Sequence, residues 1–137
     1  MLFRSRISYG QVKGGIERGN VVPIATTRGG TFDHATGTPP FDVAPAFAAK
    51  KAAIDPAVTY DFVTTNDIIG GNSGSPVIDR AGTVIGAAFD GNIHSLGGNY
   101  GYDGTLNRTV VVSTAAVQEA LETIYPAPAL VKELAGK

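Results

Sequence analysis

An all-β domain, an antiparallel barrel or sandwich with a helix packed on it, is the fold class this sequence predicts, and three observations carry that expectation. Apolar and polar residues alternate with period two through most readable segments, as strands with one buried face require. The 137 residues include 18 Gly and 8 Pro, enough punctuation for many short elements joined by turns. Helical spacing is strong in one place only, near the C-terminus.

The elements follow in order. Phe3, Ile7 and Tyr9 share a parity and predict a first strand, which Gly10, Gly14 and Gly15 interrupt before a turn at Arg18-Gly19-Asn20. A second strand runs through Val21, Val22 and Ile24 and ends near Arg28-Gly29-Gly30. A third places Val58, Tyr60 and Phe62 on one side and Thr59, Asp61 and Val63 on the other. Pro76 to Ile78 and Thr83 to Phe89 form a hairpin around Asp79-Arg80-Ala81-Gly82, where Gly supplies the positive φ of the turn. Thr109-Val110-Val111-Val112 is the sixth strand.

Ala44 to Ala53 is Ala-rich, with Lys50 and Lys51 at the end where cations offset the helix dipole, and predicts a short helix. Ser113 is an N-cap for a helix over Thr114 to Tyr125, in which Val117, Leu121 and Ile124 recur at helical spacing before Pro126 stops it. A last turn covers Pro128 to Leu134. The core expected from this pattern is Tyr60, Phe62, Val77, Val84, Ile85 and Val111, with Leu121 on the helix side.

Composition narrows the function. A chain of this length supports one compact core, so residues 1–137 read as a single domain. Eleven Lys and Arg against twelve Asp and Glu give a net charge of −1, which offers no footprint for nucleic acid or an anionic membrane. The absence of Cys excludes a disulfide scaffold, a thiolate nucleophile and thiolate metal ligands. No apolar run approaches the roughly 20 residues that cross a bilayer, which predicts a soluble protein. The first ten residues lack the apolar stretch of a secretory signal, so Met1 is expected to open directly into folded sequence.

The chemistry concentrates in Thr64 to Val77. Ser73 lies between glycines in Gly71-Asn72-Ser73-Gly74, the composition that a nucleophile loop needs to present a hydroxyl while backbone approaches a substrate. The N–H groups of Gly71 and Ser73 are then candidates for an oxyanion hole. A plain Gly/Asn/Ser surface turn uses the same letters, and composition does not separate the two readings. The two histidines, His34 and His94, are the only imidazoles available as a base. An Asp adjacent to a His in sequence, as at Asp33-His34, does not make a triad, which is defined by geometry, and both read as loop or surface residues. No zinc-ligand spacing exists, and the Gly-rich loop lacks the Lys of a phosphate loop, so neither a metal nor any other cofactor is expected. Asn107-Arg108-Thr109 matches a glycosylation acceptor pattern at a strand start.

Gly71-Asn72-Ser73-Gly74-Ser75-Pro76 resembles the nucleophile motif of chymotrypsin-like serine peptidases, and Thr65 to Val77 resembles the S46 dipeptidyl-peptidases. Gly86 to Asn92, Ile93 to Gly98, Tyr102-Asp103 and Asn107-Arg108 extend that resemblance, as do Ser8-Tyr9-Gly10, Val21-Val22-Pro23, Ala35-Thr36-Gly37 and Pro40-Phe41-Asp42. The resemblance implies the second, six-stranded antiparallel chymotrypsin-like β-barrel of a double-barrel peptidase, the C-terminal half of its catalytic domain. It implies Ser73 as nucleophile, Gly71 and Ser73 as oxyanion donors, and Asp90, Gly91 and Asn92 as substrate-binding residues. Asp90 would hold the free α-ammonium of a peptide, and Gly91 would leave room for apolar P1 side chains where an Arg would select acidic ones. Asn72 stands where chymotrypsin-like enzymes have an Asp that pairs with a processed N-terminus, so no zymogen-type activation is implied. The triad His and Asp would belong to the first barrel, which these residues do not contain. The implied protein is a periplasmic, homodimeric bacterial enzyme releasing dipeptides, inactive when reduced to this piece. A non-catalytic truncated barrel, serving as pseudoenzyme or binding module, is the competing reading, and a Gly-loop ligand-binding domain a third.

Overall fold

The computed structural model describes residues 7–136. The elements that form are β1 (Gly15–Glu17), β2 (Asn20–Val22), β3 (Ala25–Thr27), α1 (Arg28–Asp33), α2 (Pro45–Ala49), β4 (Thr59–Thr64), β5 (Pro76–Ile78), β6 (Val84–Gly91), β7 (Thr109–Ser113), α3 (Thr114–Glu119) and α4 (Pro128–Leu134). Short 3₁₀ turns cover Lys51–Ala53 and Ile93–Gly97, and Ala120–Ile124 forms a wider π turn that continues α3.

Five strands make one antiparallel sheet in the order β3-β4-β7-β6-β5, and β1 and β2 make a separate two-stranded ribbon. The expected β class is met, but among the described residues the strands form these two sheets and do not join into the expected six-stranded antiparallel barrel. The segment expected as one strand through Val21, Val22 and Ile24 is divided at Pro23, which has no N–H to give a ladder, so β2 pairs with β1 while β3 pairs with β4. Among the described residues β5 pairs only with β6, and no ladder joins it to β1. Of the first expected strand, Phe3 lies outside the described residues. Ile7 and Tyr9 form no strand and are exposed.

A row of paired residues crosses the sheet through Ala25, Phe62, Val111 and Ala88, and it is the core: Phe62, Val111 and Ala88 are buried. Thr109, Val111 and Ser113 point inward from β7 and Val110 and Val112 are half-buried, the alternation that period two requires. The hairpin between β5 and β6 turns at Asp79, whose carboxylate accepts from the N–H groups of Ala81 and Thr83, and Gly82 adopts φ +84°.

Ser113 caps α3 as expected, its hydroxyl accepting from the Ala116 N–H at 3.0 Å. The helix packs on β4, β6 and β7 through Ala116, with Ile124 buried further along. Because the backbone widens into the π turn at Ala120, the 3.6 period is lost. Leu121 is consequently only half-buried, and Val117, which precedes the widening, is exposed. Val84, expected in the core, is 50% exposed at the outer end of β6, and Tyr60, Val77 and Ile85 are half-buried.

Arg28-Gly29-Gly30 does not end a strand but opens α1, with the Thr27 hydroxyl accepting from the Gly30 N–H. Tertiary contact decides this. Arg28 is 3% exposed, its Nη2 donates to the Ala116 carbonyl at 2.6 Å, and its Nε faces Glu119 at 3.2 Å. The guanidinium lies 4.3 Å from the ring centre of Tyr60 and 4.9 Å from that of Phe47. The expected helix over Ala44 to Ala53 is shortened to α2 and a 3₁₀ turn, with Phe47 turned toward Arg28. Burial pushes the Asp61 carboxyl above its ordinary value, and the charge of Arg28 pulls it partly back.

The accessible surface of the chain is 9801 Å². A compact monomer of 14.1 kDa would expose roughly 6,700 Å². Ile16, Val21, Leu96 and Tyr100 are each at least 70% exposed.

Candidate active site

Between β4 and β5 the chain forms a loop whose shape is set by Asn72. Its side-chain oxygen accepts from the Ile69 N–H at 3.0 Å, its own N–H donates to the Ile69 carbonyl, and its carbonyl accepts from the Ser75 N–H at 2.9 Å. The position thus serves as a turn closure within the loop. Gly71 and Gly74 take φ +96° and +85°, conformations that L side chains rarely adopt, and they bracket Ser73.

Two bonds pin this loop to β6: the Gly74 N–H donates to the Ala88 carbonyl at 2.7 Å and the Ala88 N–H to the Ser75 carbonyl at 3.0 Å. Ser73 is exposed, and its Oγ donates to the Phe89 carbonyl at 3.3 Å. The hydroxyl therefore stands directly beside Phe89-Asp90-Gly91, the end of β6. Among the described residues the N–H groups of Gly71 and Ser73 meet no acceptor, which leaves two free donors flanking Asn72.

The three candidate substrate-binding residues are adjacent but differently engaged. Asp90 is exposed, and one carboxylate oxygen accepts from the Gly91 N–H at 2.8 Å while the rest of the group faces solvent. Gly91 closes β6 opposite Thr109. Asn92 is committed to the scaffold. Its Oδ1 accepts from the Arg108 N–H and the Ser95 hydroxyl, both at 3.0 Å, its Nδ2 donates to the Leu106 carbonyl at 2.7 Å, and its N–H to the Arg108 carbonyl at 2.9 Å. It ties the end of β6 to the entry of β7.

Arg108 is the organising residue that composition and spacing did not single out for this work. Only 6% exposed, it places its guanidinium on carbonyls alone: Lys13 and Gly14 before β1, and Gly104 and Asn107 beside it. No carboxylate marks such a site in the sequence. Asn107 is also buried, at 5% exposure, so the acceptor pattern at 107–109 offers no accessible amide for glycosylation. The Tyr102 hydroxyl donates to the Thr65 carbonyl, which holds the following loop against the start of the Ser73 segment. Asp103 is held below the ordinary carboxylate value, chiefly by the hydroxyl and then the N–H of Thr105.

Neither histidine reaches Ser73. His34 follows α1 and is exposed. His94 places its Nε2 2.7 Å from a Glu17 carboxylate oxygen, joining the 3₁₀ turn after β6 to β1 across a cavity of about 340 Å³ lined in part by Ile16, Asn92, Leu106 and Arg108. Among the described residues no group of three His, Cys, Asp or Glu is placed to hold a metal ion.

The model of the family described as Peptidase S46 matches residues 3–136. The dipeptidyl-peptidase 7 of Phocaeicola vulgatus is 37% identical over 142 residues, covering 96% of this chain and 20% of that protein. The Asp/Glu-specific dipeptidyl-peptidase of Porphyromonas gingivalis is 30% identical over 139 residues, covering 94% and 19%. The crystal structure of Porphyromonas endodontalis DPP11 in complex with the dipeptide Arg-Asp superposes with a TM-score of 0.84 over 93% of this chain and 20% of that one, at 23% identity. The chain spans about a fifth of the length of these relatives.

Proposed function

The chain belongs to the peptidase S46 family, and from that premise we propose that residues 1–137 are the nucleophile-bearing C-terminal part of the catalytic domain of a serine dipeptidyl aminopeptidase, which releases dipeptides from peptide N-termini. One observation carries the reading: the loop held by Asn72, Gly71 and Gly74 presents an exposed Ser73 hydroxyl against Phe89-Asp90-Gly91, beside the Gly71 and Ser73 N–H groups, which meet no acceptor among the described residues.

In this mechanism Ser73 Oγ attacks the scissile carbonyl as a base takes its proton, and the oxyanion that forms accepts from the Gly71 and Ser73 N–H groups. The solvent-facing Asp90 carboxylate pairs with the substrate α-ammonium, and Gly91 borders the P1 side chain, favouring apolar residues. Asn92 positions these two rather than touching substrate, since its polar atoms already bond the backbone and Ser95. The base and its carboxylate come from another part of a longer S46 chain, because Ser73 meets no imidazole here. The surface in excess of a compact monomer and the exposed Ile16, Val21, Leu96 and Tyr100 support a piece that is covered by further structure. Periplasmic residence and a homodimer of the whole enzyme belong to the same proposal.

The test is an assay with dipeptidyl chromogenic substrates. The 137-residue chain alone is expected to show no turnover. A longer S46 chain containing it should cleave, and Ser73→Ala should reduce kcat by roughly 10⁴- to 10⁶-fold. Turnover by the isolated chain that disappears with Ser73→Ala would make His34 or His94 the base and overturn the reading. Turnover by the longer chain that does not depend on Ser73 would favour the non-catalytic barrel.

A further inference from the structure

β6 ends at Gly91, and the chain then folds back through the 3₁₀ turn Ile93–Gly97. A Cβ added to Gly91 would lie 2.8 Å from Ser95 Cβ, 3.1 Å from Ser95 Oγ and 3.6 Å from the Arg108 carbonyl. The first distance is shorter than non-bonded carbons adopt, so a side chain at 91 and the present Ser95 exclude one another.

Ser95 is not free to retreat. Its hydroxyl donates to Asn92 Oδ1 at 3.0 Å and stands 3.4 Å from the Arg108 carbonyl, its N–H donates to the Asn92 carbonyl at 2.9 Å, and its own carbonyl accepts from the Gly98 N–H at 3.0 Å. Those bonds fix the hydroxyl in place, and the β-methylene, with the hydroxyl close behind it, faces Gly91.

We propose that Ser95 is a specificity-determining residue of this site: its β-methylene fills the space beside Gly91, and the pair 91 and 95 together sets the width of the P1 pocket. This rests on the reading that Gly91 borders P1. The wall so formed is uncharged, with the one hydroxyl consumed internally, and suits apolar P1 side chains whose size is limited by Ser95. A residue larger than Gly at 91 is accommodated only if residue 95 shrinks or the turn moves.

Two measurements test it. The first is thermal unfolding of the chain with Gly91→Ala, Ser95→Ala, Ser95→Gly and the double variants. Gly91→Ala should lower Tm, Ser95→Gly should rescue it, and Ser95→Ala, which keeps Cβ, should not. Additive shifts would overturn the packing claim. The second is kcat/KM in the longer S46 chain on dipeptidyl substrates with Ala, Leu or Phe at P1. Ser95→Gly should raise the Phe-to-Ala ratio about tenfold, the scale of one methylene in a pocket, and Ser95→Val should lower it by a similar factor. Should Ser95→Gly fail to fold, Ser95→Val decides. An unchanged ratio in the Ser95 variants while Gly91→Ala alters it would overturn the role of Ser95. An unchanged ratio in the variants of both positions, with cleavage still dependent on Ser73, would overturn the placement of P1 at Gly91 and the proposal with it.

Discussion

Replacing Arg28 by Met removes a cation that α1 holds between β4 and α3. The guanidinium is 3% exposed, faces the Glu119 carboxylate at 3.2 Å, donates to the Ala116 carbonyl and lies over the rings of Tyr60 and Phe47. Met keeps most of the apolar contact with both rings and removes the charge. The Glu119 side chain is 11% exposed, and its other oxygen accepts from the Asp55 N–H at 2.7 Å, so it cannot turn to water without giving up that bond. Breaking a buried pair on one side costs about 3–5 kcal/mol, because the remaining charge stays desolvated. Glu119→Gln retains the acceptor for Asp55 but leaves the Arg28 charge buried without its counter-ion, and should likewise cost about 3–5 kcal/mol. With both changes no charge is stranded, and the combined loss should fall short of the sum by at least about 1 kcal/mol. Urea unfolding followed by far-UV circular dichroism at pH 7 measures all three, and the single Arg28→Met variant should lose on the order of 10–20 °C in Tm. A cost for Arg28→Met below about 1 kcal/mol, or additivity within about 0.5 kcal/mol, would refute the claim that this pair couples sheet and helix.

Two further outcomes are expected. Burial raises the Asp61 carboxyl above 3.8, so the folded state holds that proton more tightly than the unfolded chain, and stability falls as pH rises through the interval above 3.8. Asp61→Asn should therefore unfold at a higher temperature than the parent at pH 7 and at nearly the same temperature at pH 3; a lower Tm for the variant at pH 7 would show that the pairing with Arg28 outweighs burial. Arg108→Met should free the carbonyls of Lys13 and Gly14 and speed amide hydrogen exchange in β1 while leaving α3 protected, whereas uniform exchange across the chain would deny Arg108 a local role.

The candidate site was legible because its chemistry is local. A serine between residues that need positive φ is written as Gly-Asn-Ser-Gly, and the turn closure by Asn72 spans only four residues. Asp90 and Gly91 enter as candidates by resemblance alone, and only the fold shows that Asn92 spends its amide on Arg108, Ser95 and Leu106. Ser95 carried no signal, since its importance lies in a missing Cβ four residues earlier in the chain.

By itself the sequence determined the two central strands β4 and β7, the capped helix and the hairpin. Period-two alternation in β4 and β7, the Ser113 cap and the Asp79 to Gly82 turn are each settled by side chains within a few residues, where sterics and short hydrogen bonds dominate. Tertiary structure alone decided what those elements join. Arg28-Gly29-Gly30 became a helix because a guanidinium 88 residues from Ala116 found that carbonyl, two aromatic rings and Glu119. The strand through Val22 and Ile24 was divided because β1 and β4 take its two halves on either side of a proline without an N–H. Pairing of that kind depends on which distant backbone arrives opposite, which no local pattern encodes.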